Sequence, residues 1–211
     1  YKKAGVARFL LGIESYNETT LKKIGKRADM NKDRKAIRLL RQHGILSMAT
    51  FAVGFQEESW RDYWYTLKQL VEYDPDQIQV LYATPHLWTP FFRQASDRQV
   101  IQLDQRHWDY KHQVLASHHL SPGQVLFCVK LLEAAFSSRP RALWRLLANP
   151  DRSIRLAQRW YYRIGRKVWL YEIFCFLFLE QHVKNGQTLA AFWGVPEKNQ
   201  TVSIGTKATF L

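Results

Sequence analysis

The chain has 211 residues, 46% of them hydrophobic and 14% aromatic, a composition that predicts a packed core and excludes a disordered protein. Lys and Arg number 31 against 18 Asp and Glu, and the formal net charge of +13 favours an anionic partner: nucleic acid, an acidic membrane surface, or a carboxylate or phosphate ligand. The two cysteines, Cys128 and Cys175, form neither a disulfide framework nor a metal motif, so both are predicted to be buried thiols in a reducing compartment.

Three short apolar runs in the first half of the chain predict buried β-strands. They are residues 6–13, 45–55 and 77–83. Helical spacing in the intervening segments predicts helices at 15–24, 31–44 and 59–74. Strands that alternate with helices in this way are typical of a parallel α/β sheet.

The helix predicted at 59–74 has an apolar spacing formed by Trp60, Trp64, Leu67 and Val71. After Arg93 no further strand is predicted. The remaining pattern indicates helices at 96–119, 121–138, 139–149 and 151–182, and a loose tail at 196–211.

The last predicted helix has two distinct stripes. Ile154, Ala157, Tyr161, Ile164 and Val168 form an apolar seam, and Arg152, Arg155, Arg159, Arg163 and Arg166 recur on another face. Residues 139–167 contain nine bases and a single acid, Asp151. Such a stripe is usually a solvated face, but a specific anionic partner is the alternative interpretation.

The segments that leave the three strands form a candidate site, because ligands of parallel α/β folds bind at the carboxyl ends of the strands. The first strand ends in Gly12 and Glu14, and the second in Gly54, followed by Glu57 and Glu58. Each glycine would expose backbone to a ligand, and each acid could accept hydrogen bonds from it. The alternative is that Glu14 caps a helix and that Glu57 and Glu58 complement a helix dipole.

The third strand is followed by "TPHLWTP" (84–90), in which two prolines stiffen the backbone around His86 and Trp88. A stiff segment of this kind could hold both rings against a flat ligand, or it could be a packing loop between the sheet and the helical region. The histidines show no strong metal-binding spacing.

Two stretches of the sequence resemble a known family. "AGVARFLLGIESYNETTLKKIGK" and "AIRLLRQHGILSMATFAVGF" are similar to the second half of the barrel of cobalamin-binding radical S-adenosylmethionine (SAM) enzymes. The segment "LYATPHLWTPFFRQASDRQVIQLDQRHWDYKHQVL" and the later "RPRALWRLL", "RWYYRIGRKVW" and "FWG" resemble the oxygen-independent oxidative cyclases of that family. The resemblance covers about residues 4–195.

The resemblance implies a fold, a reaction and a set of cofactors. The fold is α/β, the C-terminal half of a partial (β/α) radical SAM barrel with three parallel strands, followed by an all-α region. The implied enzyme is an oxidoreductase that closes the isocyclic ring of magnesium-protoporphyrin IX monomethyl ester in bacteriochlorophyll biosynthesis. Its implied cofactors are SAM, a [4Fe-4S] cluster and cobalamin, and its implied substrate is this tetrapyrrole.

The resemblance also assigns roles by position. Residues 1–92 would form the partial barrel, 93–195 the helical region and 196–211 the tail. The residues expected to contact SAM are Gly12, Glu14, Ser15, Val53, Gly54, Tyr82 and Ala83. The residues expected to contact the tetrapyrrole are His86, Trp88 and Arg93.

The sequence departs from the family in one respect. The Cys-x-x-x-Cys-x-x-Cys cluster motif is absent, as are the first barrel strands and the cobalamin domain. We therefore expect a C-terminal piece that alone holds no cluster or other cofactor, is inactive, exposes one sheet edge and partners the missing regions. The expected location is cytoplasmic, with peripheral membrane contact left open. The alternatives are another cobalamin-dependent radical SAM enzyme, such as a methyltransferase, or a basic helical module that binds nucleic acid or an anionic membrane; for the cyclase no nucleic acid is expected.

Overall fold

The computed structural model describes residues 1–13 and 30–194. Its centre is a parallel sheet with the order β1 (Arg8–Gly12), β2 (Leu46–Val53) and β3 (Gln77–Tyr82). Gly12 lies opposite Thr50 in the β1–β2 pair, and Val53 lies opposite Tyr82 in the β2–β3 pair. The predicted alternation of strands and helices around a parallel sheet is therefore confirmed.

The helices of the described residues are α1 (Met30–Gln42), α2 (Trp60–Tyr73), α3 (Pro90–Gln94), α4 (Pro122–Ser137), α5 (Pro140–Ala148), α6 (Arg152–Phe178) and α7 (Leu189–Phe192). Five of them agree with predicted helices, and two short helices, α3 and α7, were not predicted. Helix α4 begins with a capping box in which Ser121 and Gln124 exchange hydrogen bonds, and Pro122 occupies its first turn. The helix predicted at 15–24 and the tail predicted at 196–211 lie outside the described residues.

The two faces of the sheet differ in burial. On one face Ala49, Phe51, Val80 and Tyr82 are buried against α2 and α4, and this layer is the main core. On the opposite face Leu46, Met48 and Gln77 are buried near the amino-terminal ends of the strands. The other residues of that face are exposed or half-buried: Leu10, Thr50, Ala52, Gln79 and Leu81. Alternate strand residues point to opposite faces, so the same three strands carry a core face and an open face.

Buried ion pairs fix the amino-terminal edge of the sheet. Asp74 is 5% exposed, and its carboxylate pairs with Arg139, with Arg145 and with Arg41. Asp76 accepts hydrogen bonds at 3.0 Å from both the backbone N–H and the hydroxyl of Ser47 on β2. Burial lowers the pKa of Arg139 to about 10. These contacts join α1, α5 and the start of β3 at the edge opposite the strand ends that were predicted to form the site.

The prediction of a helix at 96–119 is wrong. The segment is irregular, with a 3₁₀ turn at Gln105–His107 and an isolated bridge between Val100 and Leu115. Asp104 and Asp109 each accept a hydrogen bond from the backbone N–H two residues further on, at 3.0 and 2.9 Å. Such local carboxylate-to-backbone bonds compete with helical hydrogen bonds, and they turn the chain here.

Two predicted apolar surfaces are also wrong. On α2 the buried residues are Tyr63, Leu70 and Tyr73. Of the predicted residues Trp60, Trp64 and Val71 are exposed, and Leu67 is partly buried against the core. The first strand, predicted to be buried, is an edge strand that pairs only with β2 in the described part of the chain, and its Leu10 is exposed. The expected exposed sheet edge is thus present in the described residues.

Helix α6 ends at Phe178, earlier than the predicted limit near residue 182. Its predicted seam is only partly correct, because Ile154 and Tyr161 are half-buried while Ala157, Ile164 and Val168 are exposed. The prediction for the cysteines holds for Cys128, which is buried in α4, but Cys175 on α6 is only half-buried. No helix within residues 1–13 and 30–194 combines the length and the apolar character needed to cross a bilayer.

Candidate functional site

The carboxyl ends of the three strands meet at one edge of the sheet. Gly12 closes β1, Val53 closes β2 and Tyr82 closes β3, and the parallel registers place all three ends on the same side. The structure therefore brings together the predicted cofactor residues of all three strands. Glu14 and Ser15 belong to the same prediction but lie outside the described residues.

The backbone of Gly54 is not exposed, contrary to the prediction. Its N–H donates to the Glu58 carboxylate at 2.7 Å, and its carbonyl accepts from Arg98 Nη2 at 3.1 Å. With φ of +84° the residue is in the left-handed region, and a Cβ here would lie 3.6 Å from the Tyr82 ring. Gly54 thus forms a tight turn whose polar atoms are already satisfied. Its role as a cofactor contact stays a prediction.

Glu58 is a structural acid of this turn and not a helix-dipole acid. Its carboxylate also accepts from the Tyr63 hydroxyl at 3.0 Å. Burial raises the pKa of Glu58 to about 7, even though its hydrogen bonds to Gly54 and Tyr63 lower it. The carboxyl group therefore changes its charge near neutral pH. Glu57, by contrast, is exposed and pairs with His118 Nδ1 at 2.9 Å.

Arg98 binds the carbonyl side of the Gly54 turn. It was not among the residues predicted to form the site. It is 5% exposed and donates to the carbonyls of Gly54 and Ala116, at 3.1 and 2.6 Å. Burial lowers the pKa of Arg98 to about 10, although the nearby Glu58 raises it. Both partners of the guanidinium are backbone carbonyls far away in sequence, so no local motif could have identified Arg98.

The end of β3 is held in the same way. The N–H of Tyr82 donates to the Tyr110 carbonyl and the N–H of Ala83 to the Val53 carbonyl, both at 2.8 Å. Tyr110 has φ of +66°, which is uncommon for a bulky residue and marks a locally strained position. The strain is located where the irregular segment meets the strand end.

Beyond β3, three rings form a cluster that we call the aromatic shelf: His86, Trp88 and Tyr110. The His86 and Trp88 rings are stacked, with centroids 4.7 Å apart and planes 10° apart, and Tyr110 meets His86 edge-on at 5.2 Å. Trp88 is 80% exposed. The shelf therefore presents a flat aromatic surface to the outside. That "TPHLWTP" holds His86 and Trp88 against a flat ligand stays a prediction.

Local hydrogen bonds explain the stiffness of this segment. The His86 carbonyl accepts from both the backbone N–H and the hydroxyl of Thr89, at 2.9 and 2.7 Å. Thr89 is the N-cap of α3, and Pro90 occupies the first turn of that helix. The buried Nε2 atom of His86 has no hydrogen-bond partner among the described residues. Arg93 is exposed on α3 and is not seen in contact with either ring.

A cavity of about 270 Å³ lies on the core side of the sheet, next to Tyr82 and between α4 and α6. The buried Lys130 at its wall pairs with Glu133 at 2.7 Å and with Glu172, and Lys111 approaches Glu172 at 3.5 Å. The prediction missed this ion-pair group because its members come from α4, α6 and the irregular segment. It occupies the helix layer, not the open face of the sheet.

The described residues do not fit an iron–sulfur cluster. Among them no group of three His, Cys, Asp or Glu side chains is arranged to hold a metal ion. Cys128 and Cys175 lie on different helices, and burial raises the pKa of Cys128 to about 11, which disfavours the thiolate that a cluster needs.

Comparison with known proteins shows a likeness to one family over part of the chain. Residues 1–70 match the model of the radical SAM superfamily. These residues make up about one third of the 211-residue chain. They include β1 and β2, whose carboxyl ends form two thirds of the strand-end edge described above. SAM and a [4Fe-4S] cluster are the cofactors of this family.

Three relatives extend the likeness. The chain is 52% identical over 204 residues to the anaerobic magnesium-protoporphyrin IX monomethyl ester cyclase of Synechocystis. The aligned region is 97% of this chain and 41% of the relative. It is 29% identical over 126 residues to the protein of that name from Cereibacter sphaeroides (60% of this chain, 20% of the relative). An uncharacterized methyltransferase of Pyrococcus horikoshii is 24% identical over 143 residues (67% and 31%). The chain thus spans about two fifths of the Synechocystis relative.

Proposed function

We propose that this chain is the C-terminal part of an anaerobic magnesium-protoporphyrin IX monomethyl ester cyclase. The observation that carries the proposal is the 52% identity to the Synechocystis cyclase over 97% of the chain. The likeness runs through the sheet, the irregular segment and α6, so it includes every element that positions the strand-end edge and the aromatic shelf.

In this proposal the chain binds and orients, and other parts of the enzyme hold the cluster. When bound, SAM and the cluster supply the radical chemistry of the family, and cobalamin would be a further cofactor. Gly12, Glu14, Ser15, Val53, Gly54, Tyr82 and Ala83 would line the SAM side of the strand-end edge. Because the polar backbone atoms of Gly54 are already paired, we propose that this residue contributes a close, flat surface and not a hydrogen bond.

The aromatic shelf would bind the tetrapyrrole. A porphyrin is flat and aromatic, and the exposed face of the stacked His86–Trp88 pair offers a surface of matching shape. The exposed guanidinium of Arg93 could pair with a carboxylate of the ring substituents. The binding face is rigid before the substrate arrives, since Thr89 and Pro90 fix the segment at the start of α3.

The proposal is tested with a chimera in which this chain replaces the matching 204 residues of the Synechocystis cyclase. The chimera, with its cluster reconstituted, should convert magnesium-protoporphyrin IX monomethyl ester to the cyclised product without oxygen. A chimera that folds and cleaves SAM but forms no product would contradict the proposal, and so would one that does not fold. The isolated chain, assayed in parallel, should be inactive.

A methyltransferase is the second candidate. The Pyrococcus horikoshii relative supports it through 24% identity over 67% of the chain. The likeness to the cyclase is twice as strong in identity and covers nearly the whole chain. The same assay separates the two candidates, because a methyltransferase would give a methylated product and leave the ring uncyclised.

A further inference from the structure

Helix α6 has its polar contacts on the inside and large apolar side chains on the outside. Toward the body of the protein, the hydroxyl of Tyr161 donates to the Ile78 carbonyl at 2.7 Å, and Trp169 Nε1 donates to the Lys130 carbonyl at 3.2 Å. Glu172 is also on this side, paired with Lys130. The inner face is therefore anchored by hydrogen bonds and an ion pair in addition to half-buried apolar side chains such as Ile154 and Phe176. Large apolar side chains on the outer face are not needed for this packing.

The opposite side of α6 is what we call the outer stripe. It consists of Leu156, Trp160, Arg163, Lys167, Leu170, Phe174 and Phe178, whose spacings of three and four residues place them on one helical face. Every one of them is exposed, with Trp160 at 64% and Phe178 at 71%. Tyr171, Leu177 and Leu179 add further exposed apolar area at the C-terminal end. An apolar surface of this extent marks an interaction site.

Charge is distributed along the stripe in a definite order. Arg163 and Lys167 lie in its middle and Arg166 beside them, and none of the three has a carboxylate partner among the described residues. Beyond Lys167 the exposed residues of α6 are uncharged, because Glu172, the acid of that half, faces inward and is paired. Within the described part of the chain, the helix thus carries a band of positive charge without carboxylate partners, followed by an uncharged aromatic and aliphatic end.

We propose that the outer stripe of α6 docks on the surface of an anionic lipid bilayer. The free bases would contact lipid phosphates, and Leu170, Phe174 and Phe178 would enter the boundary between headgroups and acyl chains. This order of charge and apolar surface matches the layers of a bilayer surface. Nucleic acid would leave the apolar end without a partner, and a protein partner would have to complement both the bases and the apolar end. The proposal uses α6 alone and does not depend on the proposed enzymatic function.

Neighbouring structure supports the same surface. Helix α5 packs against α6, and Leu146 of α5 lines a small cavity together with Tyr162 of α6. It also exposes Trp144 and Leu147. Exposed tryptophans that accompany arginines are typical of protein segments at membrane interfaces.

The test measures co-sedimentation of the chain with vesicles of phosphatidylcholine alone and with vesicles containing about one third phosphatidylglycerol. Binding should occur to the anionic vesicles. It should fall about 25-fold for the double variant Arg163→Gln, Lys167→Gln, since each base near an anionic surface contributes about a fivefold effect. The double variant Phe174→Ser, Phe178→Ser should also lose binding. The matched controls are Arg61→Gln with Lys68→Gln and, separately, Trp64→Ser, all at exposed positions of α2; they should bind like the unchanged chain.

Several outcomes would overturn the proposal. They are an absence of vesicle binding, equal binding to both vesicle types, and a loss of binding in the α2 controls as large as in the α6 variants. Unchanged binding of the Phe174→Ser, Phe178→Ser variant would also overturn it. Light scattering after size-exclusion chromatography tests whether the stripe instead binds a second copy of the chain. If the chain self-associates, and the phenylalanine variant abolishes self-association while no vesicle binding is seen, the stripe is a protein interface. Circular dichroism shows that each variant has kept its helices.

Discussion

The Glu58 carboxylate accepts a hydrogen bond of 2.7 Å from the backbone N–H of Gly54, and this contact closes the turn at the end of β2. The acid therefore holds the strand-end edge from inside the protein. Tyr63 and Arg98 complete the arrangement, one through the carboxylate and the other through the Gly54 carbonyl. The candidate site is thus supported by a compact polar group whose ionisation can be followed experimentally.

The first prediction concerns pH. Burial raises the pKa of Glu58 to about 7, so the folded protein holds the proton more tightly than the unfolded chain does. The stabilisation from the protonated carboxyl is fully present below the unfolded-state pKa and is lost as the pH rises toward 7. The free energy of unfolding of the Glu58→Gln variant should lack this decrease, which amounts to at most about 3 kcal/mol.

Urea denaturation at a series of pH values between 4.5 and 8 measures the difference. Glutamine keeps the acceptor for Gly54 but cannot ionise, so only the pH dependence should change. Glu57→Gln removes an exposed carboxylate one residue away and should leave the slope as it is in the unchanged chain. Identical slopes for Glu58→Gln and the unchanged chain would show that Glu58 does not titrate in this range.

The second prediction concerns the backbone of Gly54. At φ of +84° an alanine is strained although its Cβ would have ordinary contact with Tyr82 at 3.6 Å. Gly54→Ala should therefore destabilise the protein by about 1–2 kcal/mol through conformation alone. Gly165 lies within α6, where nothing is within 4 Å of an added Cβ, and Gly165→Ala should stabilise by about 0.5–1 kcal/mol.

Thermal and urea denaturation of the two variants provide the comparison. Opposite signs are expected, because the same chemical change is made at a left-handed and at a helical position. A Gly54→Ala protein as stable as the unchanged chain would mean that the turn can rearrange without cost.

The third prediction concerns the ion pairs at the opposite edge of the sheet. Asp74 is buried and pairs with Arg139 and Arg145. Asp74→Asn therefore leaves Arg139 without its carboxylate partner, while Arg145 keeps Asp76 at 3.4 Å. The loss should be about 3–5 kcal/mol. Asparagine tolerates the left-handed backbone of this position (φ 53°), so the effect reports the charge.

The matched control is Glu72→Gln. Glu72 pairs with Arg34 at the surface, and a surface ion pair contributes about 0–1 kcal/mol. Equal losses in the two variants, measured by chemical denaturation, would contradict the assignment of the Asp74 group as the buried anchor of this edge.

Sequence reasoning was most successful where the signals were local. The strands at 46–53 and 77–82 follow from short apolar runs, and α4 follows from Ser121, Pro122 and Gln124 at its start. The same local chemistry was misread at 96–119, where Asp104 and Asp109 turn the chain. The hydrogen bonds that turn the chain there are made by single carboxylates, and the spacing of apolar residues gives no information about them.

Long-range contacts account for the other failures. Helix α2 offers two apolar faces, one with Trp60 and Trp64 and one with Tyr63 and Leu70, and periodicity alone could not choose between them. The second face is buried because Tyr63 and Leu70 pack in the same core cluster as residues of α4. On α6 the inward positions are set by distant hydrogen-bond partners. Tyr161 bonds to Ile78, 83 residues away in sequence, and Trp169 bonds to Lys130, 39 residues away.

The most direct test of the account is the affinity of the folded chimera for magnesium-protoporphyrin IX monomethyl ester, measured by fluorescence titration. If the aromatic shelf binds the ring, Trp88→Ala should weaken binding by about tenfold, because it removes a stacking surface. His86→Ala should act in the same direction by removing the support of that ring. Trp64→Ala, at another exposed tryptophan, which lies on α2, should have no effect. Unchanged affinity in Trp88→Ala and His86→Ala would show that the tetrapyrrole does not bind at the shelf.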